Sequence, residues 1–291
     1  MHTRKNVKNL TAQEKKRLVD ALLAVKKGGV YDEYVRIHHH YFVADGEPGK
    51  RFGHMAPSFF PWHRQMLISF ENELRKVDDS VTLPYWDWTL DQGSGGTPPS
   101  PYTPDFLGGN GREGDHQVMD GPFAGRSGDW PITVQVTDDT FLMRDFGAFA
   151  GGVTLPSPAD LEAAMADPVY DTYPYDSTIS TRGFRNQAEG WTVGANVGWT
   201  LHNRVHAWVG GQMTGGTSPN DPTFWLHHAF IDLLWARWQK RHPAEPPYLP
   251  EQPIASGDPQ YGRVVSLDER LEPWGVSPAQ MLDHTRFYTY A

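Results

Sequence analysis

Cysteine is absent from the 291 residues. Disulfides, thiolate metal sites and a cysteine nucleophile are therefore excluded in any compartment, and a bound metal must be held by nitrogen and oxygen. Long hydrophobic runs are missing too: no window approaches the roughly eighteen apolar residues of a membrane-spanning helix. There is no basic excess, since 26 Lys and Arg stand against 35 Asp and Glu for a formal net charge of −9. Phosphate binding needs a basic face, so nucleic acid is excluded as a partner. The charged start MHTRKNVKNL is followed by no apolar stretch of the secretory kind. The chain is expected in the cytoplasm. No repeat or low-complexity linker divides the sequence, and residues 1–291 are expected to form one domain.

Aromatic residues are plentiful, with 11 Trp, 12 Tyr and 14 Phe, and 29 Gly and 24 Pro imply long loops. Thr11 and Glu14 give a capping-box signature ahead of a helix whose buried face carries Leu18, Leu22 and Val25 and which Gly28 can end. A second helix runs from about Tyr31 to Phe42 and holds His38, His39 and His40. Tyr31, Tyr34, Val35, Tyr41 and Phe42 define its inward face, with His38 at the centre and its two neighbours turned away by about 100° and 200°. In a third helix His63, Met66, Leu67, Phe70, Leu74 and Val77 fall within about 60° of one direction, so His63 also points inward. His54 lies in a loop before it.

The stretch VTLPYWDW, residues 81–88, reads as an aromatic loop wall. Residues 89–134 read as a long loop region with short strands, residues 131–142 as one arm of a hairpin, and Leu161 to Met165 as a short helix. Residues 167–185 are irregular. The second half then repeats the histidine theme. His202 and His206 are four apart and share a helix face with Val205 and Val209, a spacing that grips a metal ion. The zinc-protease pattern H-E-x-x-H is not met, because Asn203 stands where the general-base glutamate belongs. In the last long helix Phe224, Trp225, His228, Ile231, Asp232, Trp235 and Gln239 share one side, while His227 is turned about 100° away. Asp232, one turn after His228, is placed to orient an imidazole or to anchor a nearby turn.

Six inward histidines therefore form two sets of three: His38, His54 and His63, then His202, His206 and His228. Buried imidazoles need partners for both ring nitrogens, and metal coordination satisfies the six together. Paired zinc, manganese or magnesium sites recruit carboxylates, and none interrupts these triplets. Neutral imidazoles, three per ion, suit two copper ions with open positions that take dioxygen as co-substrate. A dizinc hydrolase is the competing reading.

Two stretches carry a resemblance. His54 to Glu71 has the form H, four residues, F-F-P-W-H-R, then E, and Asp221 to Asp232 reads D-P-T-F-W-L-H-H-A-F-I-D. Together with TRKN, LPYWDW, PDFLGG, VGGQM and LDHTRFYTY they cover nearly the whole chain, which resembles bacterial tyrosinases of the actinomycete type within the type-3 copper family. The resemblance implies a mainly α fold, a central four-helix bundle holding the dicopper site, with long loops and few short strands. It implies a first copper on His38, His54 and His63, and a second on His202, His206 and His228. The implied activity is ortho-hydroxylation of monophenols and oxidation of ortho-diphenols to ortho-quinones. Glu189 and Asn203 match the positions that hold a proton-accepting water in family members acting on monophenols, Phe224 an aromatic on the substrate approach, and Ala207 a small residue at a roomy mouth. A small copper-delivering helper protein, in whose company a chain of this family can leave the cell, is the partner the resemblance implies. The connection between Glu189 and His202 is longer than usual for the family. An ortho-aminophenol or catechol oxidase is the alternative inside the family, and an oxygen carrier a remoter one.

Overall fold

A computed structural model describes residues 1–46, 49–91, 100–179, 182–191 and 199–291. Among the described residues the regular structure is overwhelmingly helical. Helix α1 (Ala12–Lys27) starts on the expected capping box, with the Thr11 and Glu14 side chains satisfying each other's backbone N–H. It ends at Gly28, and Gly29 supplies the left-handed step (φ 78°) that turns the chain. Helix α2 (Val30–Gly46) runs about one turn beyond the expected end. Helix α3 (Phe59–Val77) begins four residues ahead of His63, because Pro61 falls in its first turn, where no intrahelical N–H is needed. Val77, expected inward, is 49% exposed at the helix terminus, beyond the last turn that the core covers.

Helices α4 (Pro158–Met165) and α5 (Phe184–Glu189) are short. Helix α6 (Leu201–Val209) stops at Gly210, whose φ of 68° ends the spiral, and α7 (Thr223–Arg241) is as long as α3. Helices α2, α3, α6 and α7 carry five of the six singled-out histidines, which is the expected bundle around a centre. Phe70 of α3 stacks on Trp225 of α7 at 3.6 Å and 12°, fixing the pair at the heart of the core.

Strands β1 (His2–Arg4) and β2 (Tyr288–Tyr290) pair in parallel and join the two ends of the chain. Buried charge ties this clasp to the bundle. Arg4 bonds Glu71 of α3 at 2.8 Å, and Arg64 of α3 donates to Asp232 of α7 at 2.5 Å. The Tyr288 and Tyr290 hydroxyls donate to the same Asp232 carboxylate at 2.6 and 2.5 Å. Asp232 therefore takes the anchoring role, and its oxygens meet the guanidinium groups of Arg64 and Arg4 and two phenols rather than an imidazole.

The expected hairpin arm at 131–142 does not form, and the described part of 89–134 holds isolated bridges rather than strands. Ile132 and Leu142 are buried, but Val136 between them is 72% exposed, so the segment has no second apolar layer to align against. Its backbone is spent on single bonds, Ile132 N to Thr140 O at 3.1 Å and Val118 N to Leu142 O at 2.9 Å.

Candidate metal centre

Each histidine of the first triplet has a different local reason for its place. His38 projects from the middle of α2, and its Nδ1 lies 2.6 Å from the Gly216 carbonyl. His63, one turn into α3, turns Nδ1 to the Phe59 carbonyl at 2.8 Å. His54 sits in the turn between those helices, which Asp45 shapes. The Asp45 carboxylate accepts the backbone N–H groups of Phe52, Gly53 and His54 at 2.6, 2.7 and 2.7 Å, and lies 3.4 Å from His54 Nδ1. The three rings bring one nitrogen each within 4.8 Å of the others. His39 and His40 stand outside this group, His40 exposed, as their helix positions imply.

The second group holds four histidines, not three: His202, His206, His227 and His228. His206 Nδ1 faces the Met213 carbonyl at 2.6 Å, and His202 Nδ1 faces Asn203 Oδ1 at 2.8 Å. Both Nδ1 atoms thus carry the proton, leaving Nε2 as a lone pair. The Nε2 atoms of His202, His206 and His228 converge at 3.0, 3.2 and 3.4 Å from one another. Helix position alone turned His227 aside; in the fold it is fully buried and stacked on His202 at 5.0 Å and 18°. Its Nδ1 accepts the Trp88 indole N–H at 3.2 Å, which fixes it as the Nε2–H tautomer and keeps it out of the converging set. The two groups face each other through His63 and His228, stacked at 4.4 Å and 23°.

These nitrogens fit metal ions. His38 Nε2 and His63 Nε2 are buried with no hydrogen-bond partner, an arrangement that is costly unless something positive stands before them. A tetrahedral ion with bonds of about 2.0 Å separates its donor atoms by about 3.3 Å, close to the spacing of the second triplet. Two lone-pair nitrogens at 3.0 Å, as in His202 and His206, repel rather than bond in the absence of a cation. Burial pushes all these imidazoles below their ordinary range, His54 to about 3 and His206 to about 4, so they are neutral and ready to donate at neutral pH.

A cavity of about 130 Å³ opens over both triplets, lined by His38 and His54 from one and by His202 and His206 from the other. Ala207 and Asn203 are on its wall, and Trp191, Trp199 and Phe42 supply aromatic rings. Phe224 is not on this wall. It is fully buried, stacked on His228 at 4.0 Å and set edge-on to His38 at 4.9 Å, and so packs the two triplets from inside the core. Glu189 is fully buried as well. Its Oε1 accepts Met55 N at 2.6 Å and Trp191 Nε1 at 2.8 Å, its Oε2 accepts Arg185 at 2.7 Å, and burial pushes its pKa up against the opposing pull of that guanidinium. Most of the longer connection, residues 192–198, lies outside the described residues. Sequence reasoning missed Asp45, Trp88 and the Gly216 and Met213 carbonyls; of these only Trp88 was singled out, as part of the aromatic wall at 81–88.

A helical bundle with two facing histidine triplets and a shared cavity defines a type-3 dicopper protein. The pattern described as the common central domain of tyrosinase matches residues 28–241. A tyrosinase of Streptomyces antibioticus is 52% identical over 291 residues, all of this chain and 99% of that protein. A grixazone synthase of Streptomyces griseus is 44% identical over 320 residues, again all of this chain and 99% of the other. Polyphenol oxidase from Thermothelomyces thermophila shares the fold, with a TM-score of 0.69 at 20% identity over all of this chain and 89% of that one. The chain belongs to the tyrosinase family, and is a copper oxidase with two copper ions. Among the described residues no helix is long and apolar enough to cross a membrane.

Proposed function

We propose that His38, His54 and His63 hold the first copper ion and His202, His206 and His228 the second, and that this one-domain chain ortho-hydroxylates monophenols and oxidises ortho-diphenols to ortho-quinones. The observation that carries the reading is that two histidines of each triplet line one cavity of single-ring size, since about 150 Å³ accommodates a benzene ring. The copper pair, when bound, supplies the two-electron chemistry with dioxygen. The chain's own residues orient the phenol and manage its proton. Neutral Nδ1–H groups lock four ligand rings against backbone or side-chain carbonyls, so the ligand nitrogens are aimed before substrate arrives.

A phenol must give up its proton to bind as phenolate. Asn203 and Glu189 hold the accepting water in this reading. Asn203, on the cavity wall, has a buried Nδ2 donor without a partner, and Glu189, after three accepted bonds, keeps one of a carboxylate's four lone-pair sites. Copper reaches the site from a helper protein, with which the chain is exported; retention of copper by the chain expressed alone at full stoichiometry would argue against that need.

Oxygen uptake by the copper-loaded chain with a monophenol, its ortho-diphenol and an ortho-aminophenol tests the activity. Turnover of the monophenol, lost relative to the diphenol in Asn203→Ala, supports the water. Turnover of the diphenol and aminophenol alone favours the second reading, an aminophenol or catechol oxidase, for which the longer Glu189–His202 connection beside Trp191 and Trp199 is the supporting feature. An oxygen carrier fits less well, because nothing described after α7 lines the cavity.

A further inference from the structure

The cavity over the histidines does not stand alone. Beside it is a larger hollow of about 370 Å³, and Thr214 lines both. A ring pair spans the boundary: Trp199 lines the cavity, Phe149 lines the hollow, and their centroids are 4.8 Å apart at 38°. Both rings are more than a third exposed, at 38% and 39%, in a molecule that buries most of its large aromatics.

We propose that this hollow is the subsite for the substituent para to the reacting oxygen, and that Trp199 and Phe149 select uncharged apolar or aromatic substituents over carboxylates. The inference rests on the phenol-oxidising reading above. A cavity of about 130 Å³ is filled by one ring, so a longer substituent reaches beyond it, and the hollow past Trp199, which shares Thr214 with the cavity, is placed to receive it. The charge pattern sets the selectivity. No lysine or arginine lines either space among the described residues, and the ionic side chain in the hollow is Asp145. A carboxylate entering here would meet no cation and would face Asp145, whereas a neutral ester or aryl group lies against ring faces.

The test compares catechol, 3,4-dihydroxyphenylpropionate and its methyl ester on the copper-loaded full chain. Affinity is read by calorimetry under nitrogen and turnover in air. The ester is expected to bind at least about 10-fold more tightly than the acid, with the difference in turnover residing in KM. Normalised to catechol, the ester's advantage should shrink about 3- to 10-fold in Trp199→Ala and in Phe149→Ala, the worth of an aromatic contact. Equal affinity for acid and ester, or an ester-to-catechol ratio unmoved in both variants, overturns the subsite. If catechol is bound but not oxidised while the ester preference persists, the oxidase reading fails and the subsite stands.

Discussion

Four histidines, three of them buried and His206 partly so, crowd the second metal position, and exchanging them one at a time separates ligand from neighbour. Replacing His228 by alanine removes one of three converging Nε2 atoms, and the bound copper should fall from two ions per chain toward one. Replacing His227 should leave two. It should instead weaken the fold, for reasons that can be sized. The Trp88 indole N–H loses its acceptor at 3.2 Å in a fully buried place, which costs about 1–3 kcal/mol. Loss of the ring stacked on His202 leaves a void worth about 2 kcal/mol more, the low end of large-to-alanine changes. The sum is about 3–5 kcal/mol in denaturant unfolding of the metal-free protein. His227→Asn provides the control, because its side-chain oxygen can take the place of Nδ1 as acceptor for Trp88 and should recover about 1–2 kcal/mol of the loss. Copper is counted by metal analysis after dialysis. A His227→Ala protein that loses one copper while His228→Ala keeps two would refute the tautomer argument and exchange the two assignments.

Acid stability should report Glu71. Burial opposes its ionisation, but the Arg4 guanidinium and its bonds from Arg4 and His2 outweigh that and hold it at about 2. A depressed folded-state value means that the stabilisation is present above the unfolded value of about 4.5 and is lost as pH falls toward about 2, an effect of about 3 kcal/mol that Glu71→Gln should remove from the acid limb of a stability–pH curve. Tyr288→Phe deletes a buried hydroxyl that donates to Asp232 at 2.6 Å, and should lower unfolding free energy by about 1–2 kcal/mol with copper content unchanged; loss of copper instead would show that the clasp reaches the centre. Chelation of copper should lower the melting temperature and its return restore it, since a ligand at 1,000 times its Kd adds about 4 kcal/mol to the folded state. An unshifted melting curve would mean that the triplets do not hold the metal tightly.

Much of this centre is legible in the sequence because helices convert spacing into direction. His38 can be told from His39 and His40 since only one of three consecutive residues faces the apolar side of α2, and the fold buries the first and leaves the last exposed. The same rule placed His63, His202, His206 and His228 on inward faces. It gave an incomplete answer for His227. In α7 every residue from Thr223 to Trp235 is buried, so this helix has no outward face over that length for a side chain to turn toward. A residue 100° off the metal direction is then still within the core. The hairpin expected at 131–142 shows the opposite weakness, since alternation implies a strand only where a neighbouring strand and an apolar layer exist to receive it.

By itself the sequence determined which donors were available and which were not. Without cysteine, and without carboxylates in the triplets, it left a set of imidazoles, and helical periodicity aimed most of them at one place. Tertiary structure alone decided what those imidazoles do once there. The Gly216, Phe59, Met213 and Asn203 carbonyl groups, drawn partly from distant segments, choose which nitrogen carries the proton. Trp88, 139 residues before His227, withdraws a fourth candidate from the set. Phe224 moves from the approach to the interior, and of the two roles open to Asp232 the fold takes the anchor, at the terminal clasp. The physical reason is that periodicity fixes only a side chain's direction from its own helix, whereas proton position, ligand choice and cavity access depend on what the other elements bring to meet it.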